Sequence, residues 1–62
     1  MKIEQWMIDG IKAGLRDPSI TKDMLVARRK ELVEEATKEG ALESNYFQLV
    51  LKETDARIEE LS

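Results

Sequence analysis

A glycine at position 40 separates two long amphipathic runs, and this placement constrains the fold more than any other feature. Upstream, Leu25, Val26, Leu32, Val33 and Ala36 recur at helical spacing and form one apolar stripe. Downstream, Phe47, Leu51, Thr54, Ile58 and Leu61 alternate steps of four and three, a heptad seam that Val50 widens. Glycine enters the left-handed conformation without a Cβ penalty, so Gly40 is well placed to end the first helix. Ala41 and Leu42 follow at the joint, and two helices joined this closely form an antiparallel hairpin.

A third helical stretch precedes the hairpin. Ile3, Met7, Ile11 and Leu15 repeat every four residues, Ile8 and Gly14 widen their face, and Trp6 sits on its flank. Gly10 and Gly14 lie on one side, four apart, where they either admit a close-packed helix or simply weaken this one by up to about 1 kcal/mol each. Arg16-Asp17-Pro18-Ser19 breaks the chain, because proline lacks an amide hydrogen and disfavours helix in the residue before it. The next helix begins in one of two ways. Asp17 caps it with Pro18 in the first position, or Thr21 caps it with Asp23 in the first turn. The last helix starts at a Ser44 or Asn45 cap, or directly after Gly40. Nowhere does a strict apolar–polar alternation mark a strand. The expectation is one all-α domain over 1–62 with helices about 3–15, 20–39 and 43–61. It forms either a three-helix bundle or, with a second hairpin, a dimeric four-helix type.

Length favours the dimer. A chain of 62 residues buries only about 60% of its unfolded surface and is marginal without a staple. No cysteine is present, so disulfides are excluded, and with histidine also absent the usual zinc sites go too. A second copy is the remaining staple. The same two absences remove serine–histidine and thiol catalysis, and the three glycines do not have phosphate-loop spacing. No cofactor is implied.

Ten basic and thirteen acidic residues give a net charge of −3, which argues against nucleic acid or an anionic membrane as partner. The longest apolar run, Met24-Leu25-Val26-Ala27, is far short of the ~20 residues of a membrane span. Glu4 and Asp9 interrupt the N-terminal apolar stretch, which has no cleavage-site pattern and does not read as a secretion signal. A cytoplasmic protein is expected. Arg28-Arg29-Lys30 is the one basic cluster, but on a helix its members point in different directions. Glu31, Glu35 and Glu39 lie at four-residue intervals and read as a solvated acidic face rather than a metal row, with Lys38 paired to Glu34 and Glu35.

Arg29 is more informative. Its helical angle places it inside the stripe of Leu25, Val26, Leu32, Val33 and Ala36, where a guanidinium needs a partner or a route to water. Thr54 and Asp55 of the facing helix are the candidates, in a structural ion pair or, alternatively, in a polar binding site that Arg29 and Asp55 help form on an otherwise apolar hairpin. Among the aromatics, Phe47 reads as core, whereas Trp6 and Tyr46 lie off their stripes as interface anchors, Trp6 the better of the two.

Arg29 with Leu32 three residues on, Gly40 at the turn, and the run Leu51-Lys52-Glu53-Thr54-Asp55-Ala56-Arg57-Ile58 resemble the small aspartyl-phosphate phosphatases that restrain sporulation initiation in spore-forming bacteria. The resemblance covers residues 21–61 and omits the first helix. It implies a helical hairpin, a phosphorylated response regulator as partner, Asp55 and Glu53 as catalytic groups orienting water, and Lys52 as a phosphate contact. The family signature runs serine, glutamine, glutamate, leucine, aspartate, with an apolar residue three further on. Glu53, Asp55 and Ile58 fit it. Leu51, Lys52 and Thr54 stand in place of serine, glutamine and leucine, and the turn is about one residue longer. In-line attack on an acyl phosphate depends on polar groups that aim the water. The fold and the regulator partner therefore carry over better than the activity.

The sequence thus favours a dimeric, non-enzymatic protein–protein interaction module, with the regulator phosphatase as the alternative. A third reading, a phage or mobile-element inhibitor of a host protein, suits the size and acidity, although no residue points to a target.

Overall fold

The computed structural model describes residues 2–62, and those residues are all-helical, with no strand. Helix α1 spans Gln5–Leu15, α2 Lys22–Glu39 and α3 Asn45–Glu60. Hydrogen-bonding side chains set two of the three starts. Thr21 accepts from the Met24 amide at 3.3 Å, and Ser44 accepts from the Phe47 amide at 3.4 Å. These helices therefore begin at Lys22 and Asn45, two residues after the expected starts near 20 and 43. Helix α1 begins after Glu4, which makes no side-chain cap.

Of the two ways to open α2, the chain uses Thr21. Asp17 instead organises the turn before it. Its carboxylate accepts the Ser19 amide at 2.9 Å and the Ser19 hydroxyl at 2.7 Å, and its carbonyl accepts the Ile20 amide at 3.0 Å.

Gly40 ends α2 at φ 67°, ψ 30°. Its amide reaches the Thr37 carbonyl, and the Ala41 amide reaches the Ala36 carbonyl at 2.8 Å, the paired bonds of a Schellman turn. The chain then folds back. Arg29 and Asp55, each thirteen residues from Leu42, meet across the two helices.

Helix α3 is the shared floor, with both α2 and α1 packed against it, while α1 and α2 make no backbone approach to each other. The fully buried set is accordingly small: Leu25, Ala36 and Thr54. Thr54, at the middle of the heptad seam, is only 1% exposed, and its hydroxyl donates to the Val50 carbonyl at 2.7 Å. Val26 is half exposed, so the α2 stripe is one position narrower than its spacing predicts. The reason is that α2 has a wall on one side only. At the open end of the molecule an ion pair between Arg16 and Glu60, 2.9 Å, ties the end of α1 to the end of α3. Among the described residues no helix is long and apolar enough to cross a membrane.

Candidate functional site

Two helices laid on a third with no close backbone approach to each other leave a slot between them. Here it is a groove of about 410 Å³. Its floor is the line Tyr46, Val50 and Thr54, spaced four apart on α3 so that all three point the same way. Gly10, Gly14 and Leu15 line the α1 wall, and Met24, Arg28 and Leu32 line the α2 wall. Ile20, in the turn that joins the two walls, also lines it. Two smaller hollows adjoin it. One, of about 280 Å³, lies beside Trp6 and Met7; the other, of about 250 Å³, lies beside Ala36 and Phe47. Tyr46 borders all three. The Ser44 cap fixes this geometry, because it starts α3 so that Tyr46 falls in the first turn, beside the flank of α1.

The two aromatic anchors of the sequence reading come together here. Trp6 is 70% exposed and Tyr46 is 42% exposed, and both line the hollow at the α1 end of the groove. The Trp6 indole N–H donates to the Glu4 carboxylate at 2.5 Å, which holds the ring over its own helix flank. Met24, in the first turn of α2, is also more than half exposed. Hydrocarbon thus remains in water along one continuous strip.

Gly10 and Gly14 lie on this strip, yet within the chain no helix uses the close approach they permit. A Cβ added at either position would meet nothing within 4 Å.

Arg29 finds the partner its position demands, but not by burial. Its Nε donates to Asp55 Oδ1 at 2.5 Å, with the two side chains 44% and 46% exposed. Both routes expected for a guanidinium at this position are used: it pairs with Asp55, and its head stays half in water. Thr54, the other candidate partner, bonds its own helix instead.

The residues that the resemblance assigns to catalysis do not converge. Successive helical residues turn by about 100°, so Glu53 and Asp55 fall on opposite flanks of Thr54. Lys52 is exposed and projects about 160° away from the groove floor. Asp55 is engaged by Arg29, and Glu53 is half-buried without a side-chain partner among the described residues.

The remaining polar groups are structural. Glu60 accepts from both Arg16 and Arg57, at 2.9 and 3.0 Å. The Ser19 amide and then the Ser19 hydroxyl hold the Asp17 carboxyl below its ordinary pKa range. Among the described residues no three acidic side chains gather as a metal cluster, the Glu31, Glu35, Glu39 row included.

Sequence reasoning did not anticipate Ile20, Met24 and Arg28 as groove lining. Met24 and Arg28 are spaced four apart, on the edge of the α2 stripe nearest Leu25 and Leu32, and that spacing was the available signal. Compared with known protein families, curated proteins and solved structures, the chain matches none.

Proposed function

We propose that this chain is a non-enzymatic helical interaction module whose α1–α2 groove is covered by protein in its working state. A cytoplasmic setting is part of the proposal. One observation carries it: Met24 and Tyr46 stand exposed along the apolar groove, and Trp6 stands exposed in the hollow that Tyr46 shares with it. Scattered exposed hydrophobic residues are ordinary, but a contiguous strip with aromatic anchors marks an interface. A groove with an apolar floor and low walls matches the shape that receives an amphipathic helix.

The test is the effect of removing the strip without touching the fold. Trp6→Ala and Met24→Ser alter exposed side chains, so the helical signal and melting of the isolated chain should hold. Self-association or partner binding, followed by light scattering or titration calorimetry, should weaken about tenfold or more, the cost of losing one or two interface anchors. Unchanged association in both variants would refute the reading.

A further inference from the structure

We propose that α1 of a second copy of this chain fills the groove, each copy inserting its α1 into the other's groove about a two-fold axis. This rests on the interaction-module reading and names its partner. The surface area points to a second copy. The chain exposes 4683 Å². A compact monomer of 7.1 kDa exposes about 4,100 Å². The excess, about 600 Å², is three-quarters of the ~800 Å² that each partner contributes to a standard interface.

The length of α1 is comparable to that of the groove. It has eleven residues, hence about 16 Å of length, and the groove floor from Tyr46 to Thr54 runs about 12 Å. No residue of α1 is fully buried, although it carries Met7, Ile8, Ile11 and Leu15 on or beside its inner face and Trp6 on its flank. In a symmetric pair each α1 is a wall of its own groove and the wedge in the other. The two α1 helices then run antiparallel past each other, and Gly10 and Gly14 remove the Cβ atoms that would hold their axes at the usual 8–10 Å. Nothing lies within 4 Å of a Cβ built at either glycine, so packing inside the single chain does not account for them.

Charge permits the pairing. The segment from Lys2 to Asp17 has three basic and three acidic residues, and the whole net charge of −3 arises from Glu43 onward. Arg28, on the α2 wall, has no ion-pair partner among the described residues; α1 carries Asp9, and Glu4 immediately precedes it. A second α1 therefore enters without net repulsion and brings carboxylates to a wall that presents a cation.

Three measurements test this, and they separate it from the broader reading. Sedimentation equilibrium of the natural chain should give twice the single-chain mass. Gly10→Leu, at a position where an added Cβ meets nothing within 4 Å and where leucine favours helix, should retain its helical signal and associate at least about tenfold more weakly. Because the chain has no cysteine, a Gly10→Cys variant is a clean probe: mild oxidation should link it across the axis about tenfold faster than Glu34→Cys on the outer face of α2. A dimer that Gly10→Leu leaves intact, or equal linking at both cysteine positions, would overturn the groove pairing and leave the module reading standing. A single-chain mass up to near-millimolar concentration, with no binding partner, would overturn both.

Discussion

A double-mutant cycle on Arg29 and Asp55 puts a number on what joins α2 to α3 at the surface. The pair meets through one contact, Nε to Oδ1 at 2.5 Å, with each side chain nearly half exposed. Two unit charges about 4 Å apart in a water-like dielectric attract by about 1 kcal/mol. Fixing two long side chains offsets part of this, so the coupling should fall between about 0.2 and 1 kcal/mol. Arg29→Met, Asp55→Asn and the double variant should all fold, because a chain of 62 residues has about 3–9 kcal/mol to lose. Urea unfolding followed by far-ultraviolet circular dichroism gives the coupling, measured dilute and at low salt. About 1 M salt shortens the screening length to about 3 Å and should erase most of it. A buried pair behaves differently: losing one partner costs about 3–5 kcal/mol, and salt barely matters. A coupling above about 2 kcal/mol that survives salt would refute the half-exposed geometry.

Thr54→Val should be neutral or stabilising by up to about 1 kcal/mol in the same unfolding assay, since its hydroxyl serves only the Val50 carbonyl of its own helix. A loss above about 1 kcal/mol would mean that the hydroxyl has a second partner. The lowered pKa of Asp17 means that its carboxylate stabilises the fold fully above the ordinary carboxylate pKa, and that this contribution fades as pH falls through the lowered value. Asp17→Asn should flatten the acid limb of a pH–stability curve, and a steeper limb would contradict the assignment. Because Glu53 and Asp55 diverge and Arg29 engages Asp55, a phosphorylated receiver domain should decay at its own rate in the presence of this chain. Accelerated decay would restore the phosphatase reading.

The hairpin was legible because its signals are local. Gly40 has one conformation that suits it, and a serine or threonine oxygen can satisfy an orphan amide only at a helix start. Arg29 was legible as needing a partner or a route to water, but the balance between the two was not, since that depends on whether a wall stands on its side of α2. No such wall exists, and Val26 is exposed for the same reason. The groove was not legible. It arises because α1 docks on α3 and leaves α2 alone, a tertiary choice that no periodicity in α1 encodes. Trp6 and Tyr46 were found separately, as aromatics off their stripes. Only the fold shows that they border one hollow.

Trp6 is the single tryptophan of the chain, 70% exposed in the hollow that adjoins the groove, so its fluorescence reports on whether this face is covered. The decisive measurement is its emission from low micromolar to near-millimolar chain. The account predicts a solvent-like spectrum at dilution that moves to shorter wavelength as chains associate. A spectrum that stays solvent-like throughout, with a cooperative melt independent of concentration, would show that one chain is sufficient by itself and would contradict the account.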